Sequence, residues 1–278
     1  MHDINLTDET FDINRLKNYS LLLQISEQSF AYSLFDNHRN KFVLLRSTNI
    51  KADNISTYIE NLSKFIDEDE IIKNIQTPVK ILYYTKNTIV VPNAFYDKTK
   101  QREILEFNIN VDKKDEVLSN KLRNNDYNIF SINTELLNFI NDKFNDNTIY
   151  NQASIVINES ILNSAKDKTR IIIDSNSQFI DVALIEKGVL KFKNTFEYKT
   201  ATDFVFFVLN IYDKFELQPE KVELAITGTI TSISDEVLLL KNYIKKIKFS
   251  KTSLNYSYIF NDIKISTFTN LLNLQNCV

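Results

Sequence analysis

The sequence predicts an α/β protein made of two similar halves, each a mixed β-sheet flanked by helices. Three observations lead to this prediction. Two apolar stretches, residues 20–35 and 170–185, align without a gap and lie about 150 residues apart. Each begins with a continuous apolar run and then alternates, which is typical of two strands joined by a tight turn. Each is followed by a third strand, a helix and a fourth strand, as in a sheet with helical crossovers.

In the first half, residues 20–35 form the predicted hairpin and residues 42–46 the third strand. The helix is predicted from apolar residues that recur at helical spacing. These residues are Ile55, Ile59, Leu62, Phe65 and Ile66. A further apolar strand is expected at residues 79–84.

More elements are predicted between the two repeated units. They are a strand at residues 88–91, a helix at 97–106, a strand at 128–132 and helices at 134–144 and 151–165. Pro92 ends the first of these strands, because proline cannot donate a ladder hydrogen bond. Thr134 is expected to be the N-cap of its helix.

The second half repeats the order of the first. Its elements are the hairpin at residues 170–185, a strand at 190–196, an aromatic helix around 204–215, a strand at 222–227, a helix at 234–244 and short strands at 246–249 and 256–260. Gly188 is expected to supply positive φ in a tight turn. We place the boundary near Asp167, which gives an N-terminal half of residues 1–166 and a C-terminal half of residues 167–278. The chain has no flexible linker there, so we expect packed halves.

Composition limits the classes of function. The chain has 278 residues with 43% hydrophobic and 25% charged residues, enough for a substantial core. A net charge of −3 argues against broad nucleic-acid binding, which requires clustered positive charge. The single cysteine, Cys277, cannot form an internal disulfide, and no signal peptide or membrane-length apolar run is visible. We therefore expect a cytoplasmic protein without a membrane partner.

The repeated unit resembles the actin, sugar-kinase and chaperone ATPase superfamily, whose fold is a duplicated ribonuclease-H-like unit. There the second hairpin often reads Asp-x-Gly-Gly-Gly-Thr-x-Asp. Asp174 and Asp181 stand at that spacing here, but Asn176, Ser177 and Gln178 replace the glycines. In the first hairpin Gln24 replaces the aspartate linked to the metal. The glycine pair of the adenosine loop is reduced to Gly228.

The whole chain also resembles an uncharacterised bacterial family, domain of unknown function 3822, which has the actin-like ATPase fold. Four segments carry this resemblance. They are residues 10–14, residues 90–97 with 105–108, residues 196–200 ahead of the aromatic helix, and residues 268–274. The resemblance implies a fold, and it implies no reaction.

The missing glycines argue against the activity that this fold usually supports. The chain has two glycines, where average usage would give about nineteen. Phosphate loops point successive backbone N–H groups at anionic oxygens, and glycine allows the close approach. Glu27 also adds negative charge to the first hairpin. We therefore expect Asp174, Asn176, Ser177 and Gly228 to form a vestigial nucleotide site, without catalytic or metal-binding residues and without bound ATP or Mg²⁺.

The sequence favours a non-catalytic protein that acts through contact with an unknown protein partner. One alternative is a divergent ATPase or small-molecule kinase that uses Asp174. Another is a nucleic-acid accessory protein that uses the lysine cluster, Lys241 to Lys251. We expect Asp181 to face solvent at the start of a strand. Neither His2 nor His38 has the setting of a catalytic or metal-bound histidine.

Overall fold

A computed structural model describes residues 3–163 and 168–277 of the protein. The predicted boundary near Asp167 lies outside these residues, as does His2. Within them the chain forms three β-sheets and eight α-helices. None of the helices in this described part is long and apolar enough to cross a bilayer.

The elements follow one another in a largely alternating order. The strands are β1 (Ile4–Thr7), β2 (Tyr19–Ile25), β3 (Ser29–Asp36), β4 (Lys41–Asn49), β5 (Val79–Tyr83), β6 (Thr88–Val91), β7 (Asp115–Lys121), β8 (Tyr127–Asn133), β9 (Asn147–Asn151), β10 (Thr169–Ser175), β11 (Phe179–Glu186), β12 (Val189–Glu197), β13 (Glu223–Gly228), β14 (Ile247–Phe249) and β15 (Asn255–Tyr256). The α-helices are α1 (Ile55–Glu68), α2 (Glu70–Asn74), α3 (Gln101–Glu106), α4 (Thr134–Lys143), α5 (Gln152–Leu162), α6 (Ala201–Lys214), α7 (Asp235–Leu240) and α8 (Thr269–Asn273).

The two large sheets have the same strand order at their centres. The first sheet runs β1-β4-β3-β2-β5-β9, and β15 also pairs with β4. The second runs β12-β11-β10-β13-β14. In each, the strand that opens the repeated unit is antiparallel to its hairpin partner and parallel to the strand after the helix. The predicted fold class is therefore confirmed.

The central strand of the first sheet is buried on both faces. Leu21 and Leu23 pack in one cluster with Leu62 of α1, while Leu22 packs in another with Leu271 of α8. This alternation follows from the strand geometry, in which successive side chains point to opposite faces. Helix α1 thus covers the outer face of the sheet, and α8 covers its inner face, which is the face toward the second half.

The second sheet is covered in the same way. Ile171 and Ile173 pack with Phe204 of α6, whereas Ile172 packs with Val156 of α5. The inner face of each sheet therefore meets a helix that lies between the two halves. This arrangement explains why the opening strands read as continuous apolar runs in the sequence.

A small third sheet, in the order β6-β8-β7, is inserted into the first half. The sequence analysis predicted neither β7 nor β9, because their largely polar sequences lack an apolar run. The predicted N-cap of α4 is also wrong. Asn133 is the N-cap, and its side chain accepts hydrogen bonds from the N–H groups of Glu135 and Leu136.

The C-terminal segment returns to the first sheet. Asn255 and Tyr256 of β15 pair in parallel with β4, although the sequence predicted a longer strand there. Ser257 Oγ then donates a 2.5 Å hydrogen bond to Asp8 Oδ2, and Lys41 Nζ lies 3.2 Å from the same oxygen. Burial alone would raise the pKa of the Asp8 carboxyl. Hydrogen bonds from Ser257, Thr10 and Lys41 outweigh burial and lower it well below its usual range.

Apolar side chains of the same C-terminal segment complete the inner core of the first half. Phe260 and Leu271 are fully buried against Leu22 and Phe42. The chain thus crosses from the second half to the first after β14. The division of the chain at Asp167 stays a prediction.

We expect Leu271→Ala to lower the free energy of unfolding by about 2–5 kcal/mol, because it opens a cavity in this core. The control is Leu238→Ala on α7, where the side chain is half exposed and we expect a change within about 0.5 kcal/mol. Chemical denaturation of both variants measures the difference. Equal effects would show that the C-terminal segment does not contribute to the core.

Candidate functional site

A cleft of about 1400 Å³ lies between the two halves. The two hairpin turns, residues 26–28 in the first half and 176–178 in the second, both line it. Asn176, Ser177 and Gly228, three of the four candidate residues named from the sequence, line this cleft. That they belong to a nucleotide site stays a prediction. Asp174 is not among the lining residues, because it lies below the cleft surface.

The second hairpin turn is held together by its own asparagine. Asn176 N–H donates to the carbonyl of Phe179 over 3.1 Å. Asn176 Oδ1 accepts from the N–H groups of Gln178 and Phe179, both at 2.8 Å. Tyr198 Oη donates to the carbonyl of Asn176 at 2.9 Å. Two backbone donors at the tip of this turn are therefore already engaged inside the turn.

The first hairpin turn repeats this geometry with a serine. Ser26 N–H donates to the carbonyl of Ser29 over 3.0 Å, and Ser29 N–H donates to Ser26 Oγ over 3.1 Å. Ser26 aligns with Asn176 in the two repeated units. Asx and ST turns of this kind are a standard use of these side chains, which imitate a backbone acceptor.

A glycine is needed at position 228 because the ends of β10 and β13 lie too close together there for a side chain. Its φ is +91°, and a Cβ added to it would lie 2.0 Å from the carbonyl oxygen of Ser175. Thr229 N–H donates to that same oxygen at 2.9 Å, and Ile230 N–H donates to Ser175 Oγ at 3.0 Å. The glycine thus has a structural role where the end of β10 meets the loop after β13.

Asp174 is the most unusual of the candidate residues. It is 2% exposed, and its Oδ1 has no hydrogen-bond partner within the described residues. Burial, and next to it the charge of Asp181, raise the pKa of the Asp174 carboxyl well above its usual range. A raised pKa favours the neutral acid, because the charged form is poorly solvated there.

The expectation that Asp181 faces solvent is wrong. Asp181 is 3% exposed and pairs across the hairpin with Asp174. Lys193 Nζ lies 3.0 Å from Asp181 Oδ1, and Thr195 Oγ1 donates to the same oxygen at 2.6 Å. Gln152 Nε2 donates to Asp181 Oδ2 at 2.8 Å. Sequence alternation could not reveal this, because both faces of β11 are buried.

Polar contacts continue from Asp181 into the first half. Gln152, at the start of α5, also donates to the carbonyl of Thr85 at 2.8 Å, and its Oε1 accepts from Asn151 Nδ2 at 2.6 Å. Asn128 Nδ2 donates to Asn151 Oδ1 at 2.9 Å. Lys193 Nζ donates to the carbonyl of Thr88 at 3.3 Å. A buried polar network therefore joins the halves beneath the cleft. The sequence analysis missed this network. The one local sign of it in the sequence is the polar pair Asn151 and Gln152 at the start of the otherwise apolar helix α5.

The charge lining the cleft is mostly negative. Among the described residues that line it, the charged ones are Asp3, Glu27, Asp53, Lys86, Glu197, Lys199 and Asp203. Lys86 forms a 2.6 Å ion pair with Glu197. Asp203 caps α6 and accepts from the N–H groups of Lys199 and Thr200. The lining thus holds five carboxylates against two ammonium groups.

The remaining sequence candidates lie elsewhere. His38 is in the exposed turn between β3 and β4, and no group of three or more His, Cys, Asp or Glu side chains suited to a metal is found among the described residues. Burial raises the pKa of the Cys277 thiol to about 12. In the lysine cluster, Lys248 pairs with Glu223 at 2.6 Å, and Lys246 Nζ donates to a backbone carbonyl. Nucleic-acid binding by this cluster stays a prediction.

Solved structures identify the class of fold. The chain is similar to a protein from Bacteroides thetaiotaomicron described as having an actin-like ATPase fold and unknown function, with 20% identity and a TM-score of 0.84 over 97% of this chain and 100% of that one. The PilM–PilN type IV pilus biogenesis complex matches with 12% identity and a TM-score of 0.60 over 92% and 97%. The ethanolamine utilization protein EutJ from Carboxydothermus hydrogenoformans matches with 7% identity and a TM-score of 0.52 over 97% and 91%. This protein therefore has the actin-like ATPase fold.

Within that class, the chain belongs to the family described as "Protein of unknown function (DUF3822)", which matches residues 8–247. The resemblance inferred from the sequence is therefore confirmed. Comparison with curated proteins finds no match.

We expect Gly228→Ala to destabilise the protein by about 3 kcal/mol or more, because the new Cβ meets the Ser175 backbone as well as an unfavourable φ. Gly188→Ala is the matched control. Its φ of +80° is also unfavourable, but a Cβ there meets nothing within 4 Å, so we expect about 1–2 kcal/mol. Urea denaturation measures both, and equal losses would contradict the close contact at Gly228.

We expect Asp174→Asn to change how stability depends on pH. Because the folded pKa of Asp174 is raised, its favourable contribution is complete below the unfolded pKa of about 4 and is lost as the pH rises through the folded value. The asparagine variant lacks this loss, so its melting temperature should gain on that of the wild type as the pH rises above about 4. If the melting temperatures of the two proteins changed in parallel with pH, the raised pKa of Asp174 would be contradicted.

Proposed function

We propose that this chain is a non-catalytic protein of the actin-like ATPase fold that acts by binding a protein partner and does not hold Mg-ATP. The observation that supports this most directly is the use of backbone donors in the two hairpin turns. Asn176 and Ser26 accept from N–H groups that a phosphate loop would point at its ligand. A triphosphate would have to displace these hydrogen bonds, each of which contributes about 0.5–1.5 kcal/mol.

The charge of the cleft supports the same proposal. Glu27 stands at the tip of the first hairpin turn, where a nucleotide of this fold class places its phosphates. Two like charges about 4 Å apart repel by about 4 kcal/mol near a protein surface. Bound Mg²⁺ would reduce this repulsion, but Gln24 offers a neutral amide where the superfamily has a carboxylate.

The setting of Asp174 argues against the alternative of a divergent ATPase or kinase. A metal ligand or general base must be ionised and must reach the substrate. Asp174 lies below the lining of the cleft, so its carboxyl is not among the groups that a substrate in the cleft would contact. The other candidates do not replace it. The side chain of Asn176 is hydrogen-bonded within its own turn, Ser177 lies in the same turn, and Gly228 is needed for the close contact with Ser175. These residues do not fit Mg-ATP.

Exposed apolar side chains support contact with a partner protein. Four large ones lie on α7 or next to it: Ile233, Leu238, Leu239 and Tyr243. Neighbouring exposed apolar residues are typical of protein interaction surfaces, whereas single ones are common everywhere. The PilM–PilN complex is an instance in which a similar structure occurs in an assembly.

Thermal unfolding with Mg-ATP tests the proposal. A ligand at one hundred times its dissociation constant stabilises a native protein by about 2.7 kcal/mol, which is about 5 °C or more for a chain of this size. We expect no shift in melting temperature and no phosphate release above that of Asp174→Ala. A clear upward shift that Asp174→Ala abolishes would refute the proposal and favour the divergent ATPase.

A further inference from the structure

We propose that the cleft binds an extended basic segment of a protein partner, whose lysine and arginine side chains meet the carboxylates of its first-half wall. This inference rests on the proposed function and names the chemistry of the partner. It reverses the usual preference of this cleft, which in nucleotide-binding relatives accepts an anion.

Glu27 and Asp53 are the carboxylates available for such contacts. Both line the cleft, both are exposed, and neither forms an ion pair within the described residues. Ile50 N–H donates to the carbonyl of Gln28 at 2.8 Å, which ties the loop that carries Asp53 to the turn that carries Glu27. Asp3 lies on the same wall, where its Oδ2 accepts from Asn49 N–H at 2.7 Å.

A buried acceptor that has no partner gives a second, independent reason. Gln24 lines the cleft and is 8% exposed, yet its Oε1 has no hydrogen-bond partner in the described structure. A buried carbonyl without a donor costs about 1–3 kcal/mol, so such atoms are rare in native proteins. Ammonium and guanidinium groups carry only donors, and either could supply the missing hydrogen bond once the Gln24 side chain rotates to turn its buried Oε1 toward the cleft.

The size and walls of the cleft favour a polypeptide over a small amine. Its volume of about 1400 Å³ exceeds the usual 300–1,000 Å³ of small-ligand pockets. Tyr58, Tyr83, Phe179, Tyr198 and Phe207 contribute aromatic surface to it. Lysine and arginine lay their apolar stems on such surfaces and place their charged heads over aromatic rings.

Fluorescence anisotropy with a labelled octapeptide of alternating alanine and arginine tests this inference on the full chain. We expect saturable binding that weakens as salt is raised. Glu27→Gln and Asp53→Asn should each weaken binding about three-fold, and the double variant about ten-fold, as for partly exposed ion pairs. Glu116→Gln, on an exposed position of β7 outside the cleft lining, is the matched control and should leave binding unchanged.

A second variant separates binding from folding. Gln24→Leu removes the buried acceptor that has no partner and places an apolar side chain beside Leu22 and Leu82. We expect its melting temperature to stay equal to or rise above that of the wild type, while its affinity for the arginine peptide falls about three-fold or more. Equal affinity in the wild type and Gln24→Leu would remove Gln24 from the site.

Any one of three results would overturn the inference. The first is no binding of the arginine peptide, and the second is equally strong binding of a peptide with glutamate in place of arginine. The third is an affinity of the Glu27 and Asp53 double variant for the arginine peptide equal to that of the wild type. If spermine bound tightly and the peptide did not, the ligand of the cleft would be a small polyamine and not a protein segment. The Mg-ATP experiment is independent of these results. A protein that binds neither ATP nor the arginine peptide would retain the proposed function and lose only this inference.

Discussion

The buried ion pair between Lys193 and Asp181, both in the second half, is the centre of the polar network that joins the two halves. Both side chains are almost completely buried, so each charge would be costly without the other. Gln152 and Thr195 satisfy the remaining capacity of the carboxylate, and Lys193 also reaches a carbonyl of β6. Because these groups come from both halves, the pair and its hydrogen bonds set where the halves meet. Around the cleft the buried groups of Gln152, Asp181 and Lys193 are thus satisfied, whereas Gln24 Oε1, Asp174 Oδ1 and Thr227 Oγ1 have no hydrogen-bond partner among the described residues.

The walls of the cleft follow from a different constraint, the satisfaction of backbone donors. A turn without glycines must find acceptors for its N–H groups, and Ser26 and Asn176 supply them from their own side chains. These hydrogen bonds hold both hairpin turns and engage N–H groups of the kind that phosphate loops point at their ligands. The carboxylates of Glu27 and Asp53, which also line the cleft, would repel a phosphate group. Under the proposed function the scaffold is kept while its binding chemistry differs, as is common for widely used folds.

Much of the fold could be predicted from local patterns, whereas little of the site could. The hairpins at residues 20–35 and 170–185 and helix α6 were visible because their apolar periodicity is strong. Strands β7 and β9 were missed because they are largely polar and lack an apolar run. Asp181 was misjudged because a charged residue in an alternating strand reads as solvent-facing, and its partner Gln152 is distant in sequence. Asn176 was correctly placed in a turn, but its capture of two N–H groups depends on turn geometry.

The sequence by itself determined the fold class and the absence of glycine from the hairpin turns, because both are local properties of periodicity or residue type. Tertiary structure alone decided that Asp174 is buried, that Gly228 is needed against Ser175, and that the last residues return to the first sheet. These features arise between segments far apart in the chain. Their energies depend on burial and distance, which no local pattern encodes.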